Sequence, residues 1–505
     1  GQAYAGNAST DPHRVSQLNI GAGTTFTDAG AVAAAGTKYI GYDGGQVNNT
    51  GTYVRNGLGT TLGSHGFNNT GTVQINAGTF GLTGAGNLRS QSSGQINVAA
   101  GTTLLLGDAL ISAGTIQNNG RVLLSTSALT DVAAAATIGG AWEMSQGSAE
   151  WRLAGTHSIT SLAMAGGQLG GNSVLNTGSA SFGGAVLGRA DSTQGTINVA
   201  GNASFSGAAL ATLRYGQVLN LNGNTSWSAG NGRIEVGQAY AGNASTDPHR
   251  VSQLNIGAGT TFTDAGAAGA AGTKYIGYDG GQVNNAGTYV RNGLGTTQSI
   301  LGFNNTGTVL LNAGRLAVDQ HFRNTGVVEL AGGAVLKGSD QVFINHGTLQ
   351  GTGTVETLNA SHALSNLGSI NPGSLGAGGL LSVTGDLNLA LVGTLNIDLV
   401  APGQNDRVAI SDDLSVSGTL AVWAAGYTLQ LGDRFVVASF DQLVGASAFT
   451  RVTWNGLTND VFAVEYNAHD ITLRVAAVPE PQTWLMLLGG LAALGYRRWR
   501  APHAA

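Results

Sequence analysis

The feature that most constrains this chain is a short motif, Asn-x-Gly followed by an alternating strand, that returns about every 20 residues. Its glycines stand at 287, 307, 326, 347 and 368, with earlier examples at 51, 71 and 120 and a Ser-Ser-Gly variant at Gly94. The residue two places after each glycine is apolar: Tyr53, Val73, Ile96, Val122, Tyr289, Val309, Val328, Leu349 and Ile370. A turn that recurs at a fixed period and then aims an apolar residue the same way is the signature of a solenoid. In Asn69-Thr70-Gly71-Thr72-Val73-Gln74-Ile75-Asn76-Ala77-Gly78, two such motifs bracket one strand. Val73 and Ile75 share one face, while Thr72 and Gln74 share the other. Asn and Gly both tolerate positive φ, so both residues of the motif read as turn formers.

The predicted fold is all-β, a right-handed parallel β-helix of about 20-residue rungs. About eighteen rungs would give a rod on the order of 85 Å long. Residues 1–78 recur at 237–314 with nine differences, at 32, 33, 50, 62–65, 74 and 75. Val236 runs into the second copy without a linker, so Gly1 is expected to begin inside a repeat of a longer array. The stretch 127–236 keeps strand-like segments but loses the strict spacing, and irregular or loop-bearing rungs are expected around Trp142 and Trp151. The chain divides into solenoid repeats at 1–370, a C-terminal solenoid and capping β-segment at 371–476, and a tail at 477–505.

Charged residues are only 10% of the chain and the net charge is -5, so no basic stripe suits nucleic acid. With no cysteine, disulfides and thiol chemistry are excluded. Stability must come from stacking. Catalytic candidates are sparse, and the expectation is a protein that is not an enzyme and needs no cofactor or metal. His13 and His249 are one repeat position, His65 corresponds to Leu301, and His346 is the variable residue of a motif. The best carboxylate grouping is Asp406, Asp412 and Asp413 beside Arg407, which reads as solvated turn charge. Lys38, Tyr39 and Tyr42, repeated as Lys274, Tyr275 and Tyr278, form an aromatic–basic group that could grip a sugar, with rung-edge packing the stronger reading. Ice binding would need a Thr-x-Thr pair on the same face of successive rungs, and Thr25-Phe26-Thr27 and Thr261-Phe262-Thr263 are two copies of one rung whose neighbours do not repeat the pair.

The tail begins with the stiff Val478-Pro479-Glu480-Pro481. A 13-residue apolar run follows from Trp484 to Tyr496, then a basic stop of Arg497, Arg498 and Arg500. It reads as a short transmembrane helix with its arginines cytoplasmic, below the roughly 20 residues that span a bilayer comfortably. This order closely resembles the PEP-CTERM sorting signal of Gram-negative bacteria, a motif also labelled as an ice-binding protein C-terminal domain. The resemblance implies an exported protein, anchored in the inner membrane until an exosortase processes it and then delivered to the cell surface or matrix. More loosely, 371–476 resembles the end regions of autotransporter-like and haemagglutinin-like β-solenoids, through Asn371-Pro372-Gly373, Asn405-Asp406-Arg407-Val408 and Gly432-Asp433-Arg434-Phe435. Together these readings point to an adhesin-like structural protein with exopolysaccharide or matrix glycans as partners. A carbohydrate-active β-helix enzyme is the alternative, and an ice-binding protein a more distant one.

Overall fold

The computed structural model describes residues 16–476 except 31–32, 34, 42–43, 85–87, 125–128, 146, 190–193, 207–209, 238–250, 268, 278–280, 301, 339–342, 358–361, 374–376, 425, 446 and 459–460. These residues form a parallel β-solenoid with rungs of about 22 residues, and no helix occurs among them. Each rung contributes three short strands, so the rod has three faces. Face one is an unbroken parallel ladder from Gln17–Ile20 through Thr273–Ile276 to Arg434–Ser439. Face two carries strands such as Thr52–Arg55 and Gln282–Asn285, and face three strands such as Thr60–Gly63 and Thr288–Arg291.

Alternation decides what points inward. In Thr72–Ile75 the side chains of Val73 and Ile75 are buried and those of Thr72 and Gln74 are not. All nine apolar residues that follow the motif glycines are at most 2% exposed. Aromatic rings follow one another along the axis, Phe182, Phe205, Phe262 and Tyr289 inside face three and then Phe303, Phe322 and Phe343 inside face two, with centroids 5.0 to 6.3 Å apart. At about 25 cal/mol per Å² of buried apolar surface, such a spine supplies much of the cohesion between rungs.

The motif itself works differently from its reading as a turn. Asn285, Asn305, Asn324, Asn345 and Asn366 end their strands facing inward, each at most 2% exposed. Each of the first four donates from Nδ2 to Oδ1 of the next at 2.6 to 2.7 Å. The same amides also donate to carbonyls of the rung above, such as Thr308 and Ser369. Nor are the following glycines in the left-handed region, where the rod's turn glycines Gly78 and Gly314 do lie, at φ of 65° and 66°. A Cβ on Gly307, Gly326, Gly347 or Gly368 would come within 2.0 to 2.1 Å of a carbonyl of the previous rung's glycine. The motif is therefore a buried amide ladder beside a column where neighbouring backbones touch.

The central stretch is regular rather than loop-bearing at its tryptophans. Trp142 pairs in register with Val122, and its ring stacks on Trp151 in the core at 4.6 Å. What changes is the corner: Gly155–Met164 and Ser173–Phe182 are ten-residue strands that run through from face two to face three. The first of these strands carries no Asn-x-Gly, and the second keeps Asn176-Thr177-Gly178 within an unbroken strand.

From Gln17–Ile20 the face-one ladder takes ten steps to Arg233–Val236, and the next strand, Gln253–Ile256, is the copy of Gln17–Ile20. The duplicate is thus set ten rungs and one face further on. At the C-terminal end the stack closes by reversing direction. Arg434–Ser439 pairs antiparallel with Asp470–Val475, which pairs antiparallel with Phe462–Tyr466.

Candidate functional site

Lys274 belongs to the interior, whereas its first-copy counterpart Lys38 is exposed. In Thr273–Ile276 the alternation that buries Ile276 also buries Lys274 and turns Tyr275 outward, so the two cannot grip one ligand. Lys274 Nζ donates to Asp264 Oδ1 at 2.9 Å and lies 3.6 Å from the Trp227 ring centroid. Asp264 also accepts from Arg291 Nη1 at 2.9 Å, Tyr289 Oη at 2.8 Å and the Thr297 hydroxyl. Every member is fully buried. Burial alone would raise the Asp264 pKa, but the Lys274 and Arg291 charges outweigh it and hold the carboxyl below its usual range. Burial also lowers the Lys274 pKa and raises that of Tyr289. In the first copy Asp28 takes Tyr53 and Thr61 in the same way, but Lys38 is 50% exposed and only 3.5 Å from the carboxylate. Tyr275 instead lies under the Arg233 guanidinium at 4.8 Å.

The acidic grouping divides. Asp412 and Asp413 lie with Asp386, their carboxylate oxygens within 4.8 Å of one another. Asp386 was missed because the rung there lengthens to 27 residues (Leu387 opposite Leu414), so a 20-residue period places it elsewhere. Burial and the charges of Asp386, Asp412 and Asp441 raise the Asp413 pKa. This trio offers oxygen ligands of the kind that hard divalent cations take.

Asp406 stands apart, 3% exposed, accepting from the Gly379 and Asp398 amides at 2.8 and 3.0 Å. Burial pushes its carboxyl up to about 7, with a contribution from the Asp398 charge. Over it lies a groove of about 490 Å³ lined by Gly378, Gly379, Leu380, Gln404, Asn405, Arg407, Arg434 and Val436. Arg407 is exposed and opposite Leu380 in the ladder, while Arg434 comes from the next rung. The sequence named Arg407 and Arg434 only as parts of separate strings. Their meeting depends on a 30-residue rung that no period signals.

A second, shallower groove of about 370 Å³ runs over Ala163, Ser181, Ser204 and Ser226, with Glu143 at one end. His346 is exposed, as its place in the motif suggested. Thr27 lies opposite Val54 and Thr263 opposite Val290, so the Thr-x-Thr pair does not extend to neighbouring rungs. Val478, Pro479, Glu480, Pro481, Arg497, Arg498 and Arg500, the apolar run between them, and His13, His249, Tyr42, Tyr278 and Leu301 lie outside the described residues. No helix among the described residues is long and apolar enough to cross a membrane. No protein-family model matches the chain, and no curated protein matches it.

Proposed function

We propose that this protein is an exported structural, adhesin-like rod of the cell surface or extracellular matrix, sorted through its C-terminal tail. The observation that carries the proposal is the order Val478-Pro479-Glu480-Pro481, apolar run, Arg497-Arg498 and Arg500 at the end of a solenoid. The outer positions of the rod support it. Asn176, Asn198, Asn220, Asn255, Asn284 and Asn304 form a partly exposed amide ladder on face two, and such amides suit glycan hydroxyls. An exosortase is the processing partner and matrix polysaccharide the binding partner in this reading. A carbohydrate-active enzyme would draw on Asp386, Asp412 and Asp413.

Replacing Pro479, Glu480 and Pro481 together by alanine is expected to leave an unprocessed form in the inner membrane. Cell fractionation with immunoblotting checks this, and normal surface delivery of the variant overturns the sorting proposal.

A further inference from the structure

The groove at 378–380, 403–407 and 434–436 differs from the rest of the rod in its chemistry. Elsewhere on face one several arginines are neutralised within the sheet, as Arg315 is by both oxygens of Glu356 and Arg152 by Asp131. In the groove, the Arg407 side chain has no ion pair or hydrogen bond among the described residues, and neither does that of Gln404. Arg434 and Arg474 share the single carboxylate of Glu465, at 2.7 Å each, which leaves that trio with one surplus positive charge. The nearby carboxylates, Asp406 and Asp398, are 3% and 7% exposed, and Asp406 is engaged by main-chain amides beneath the groove.

The walls are preorganised. Asn405 Nδ2 donates to the Asp406 and Val436 carbonyls at 2.7 and 2.8 Å, tying its loop to the next rung. Gly378 and Gly379 close the opposite wall. A Cβ on Gly378 would meet the Gln404 carbonyl at 2.2 Å, and one on Gly379 the Gly373 Cα at 2.1 Å. The result is a concavity with smooth main-chain sides, one free guanidinium, one free amide and an apolar floor at Leu380 and Val436. Its volume falls within the ~300–1,000 Å³ of small-molecule sites.

We infer that this groove binds a carboxylate-bearing saccharide, a short stretch of uronic acid polymer. Arg407 engages the carboxylate through two parallel N–H···O bonds, Gln404 takes a ring hydroxyl, and Arg434 supplies longer-range attraction. The inference deepens the matrix-binding part of the proposed function and rests on it, but it does not depend on the sorting signal.

The test is calorimetric titration of the full chain with a galacturonic acid tetramer and, separately, with the neutral galactose tetramer. Expected is binding of the acidic oligomer at least ~10-fold tighter than of the neutral one, weakened by added salt. Arg407→Ala should lose at least ~10-fold, Arg407→Lys should recover only part of this, and Arg323→Ala, an exposed arginine on another face, should change nothing. Because Arg407 is exposed, an unchanged melting temperature checks that the variant folds. Equal affinity for both oligomers, or an Arg407→Ala variant that binds as the parent does, overturns the inference. Binding of the acidic oligomer with a loss in Arg323→Ala equal to that in Arg407→Ala also overturns it, since the attraction would then be diffuse charge. Failure of the binding test together with an unprocessed inner-membrane form of the Pro479, Glu480 and Pro481 variant leaves the sorting reading standing, and specific binding together with normal surface delivery of that variant leaves the groove standing.

Discussion

At the scale of single residues, the glycine and asparagine of the repeating motif do steric and hydrogen-bonding work rather than conformational work. Gly326 would place a Cβ 2.0 Å from the Gly307 carbonyl oxygen, an approach that no side-chain movement relieves. Gly326→Ala is expected to cost about 3 kcal/mol through forced backbone displacement. Gly333 has φ of 82° and open space around its Cβ position, so Gly333→Ala should cost only about 1 kcal/mol of local strain. Urea denaturation of the two variants checks the ordering, and equal losses would mean that close approach is not the reason for the motif glycine. Asn324 donates to Asn345 and accepts from Asn305 inside the rod. Asn324→Ala is expected to lose about 2 kcal/mol, since Asn305 and Asn345 each lose a ladder hydrogen bond inside the rod and keep only their main-chain partners. Asn304→Ala, in the partly exposed outer ladder, should lose under about 1 kcal/mol by the same measurement. The period was legible in the sequence because Tyr289, Val309 and their equivalents are apolar. The inward turn of the asparagines was legible only from parity. In Gln282–Asn285, Asn285 sits two places after Val283 and therefore points the same way. Composition argues against burying an amide, and only the ladder, which supplies each one with a partner from the next rung, removes the objection.

At the scale of the rung corner, Asp264, Lys274 and Arg291 join faces three and one across the bend between Asp264 and Thr273. Two cations and one carboxylate share a site with no exposure, so removing the carboxylate leaves two buried positive charges. Asp264→Asn is expected to cost about 3–5 kcal/mol, a range typical of breaking one partner of a buried pair. The equivalent Asp28→Asn should cost less, because Lys38 is half in solvent. The pH dependence has a definite sign. The Asp264 pKa is lowered in the folded state, so its contribution is fully present above the unfolded value near 4 and is lost as pH falls through the lower folded value. The parent should therefore lose stability below about pH 4 more steeply than Asp264→Asn, as followed by acid titration of tryptophan fluorescence. The sequence brought Lys274 and Tyr275 forward as one aromatic–basic group, with rung-edge packing the stronger reading. The strand parity that separates them was readable, but the partner Asp264 comes from ten residues earlier through a corner whose geometry no pattern encodes.

At the scale of the whole molecule, a stack of rungs is stable only as long as its ends are managed. The C-terminal end is managed by reversing strand direction and placing Arg434, Glu465 and Arg474 across the outermost strands, which discourages pairing with another chain. The long rungs that build this end, 27 to 30 residues against about 20 earlier, also enclose Asp406. That carboxyl titrates in the physiological range. Its folded pKa, pushed up to about 7 by burial, lies above the unfolded value near 4. The stability it contributes as the neutral acid is fully present below about pH 4 and is lost as pH rises through 7. A difference of about three pKa units corresponds to at most about 4 kcal/mol, and partial relaxation should leave some 2 kcal/mol of it. The expected outcome is that the C-terminal rungs loosen between pH 5 and 8 while the repeats from 302 to 338, whose interior is amide and apolar, do not. Amide hydrogen exchange at the two pH values, corrected for intrinsic rates, should show protection falling around Leu380–Thr384 and Arg407–Ile410 and holding at Thr308–Leu311. Asp406→Asn, neutral at every pH and able to accept one of the two amides, should abolish the difference. Uniform loss of protection along the rod, or a difference that survives in Asp406→Asn, would show that the buried carboxyl does not set the pH response of this end.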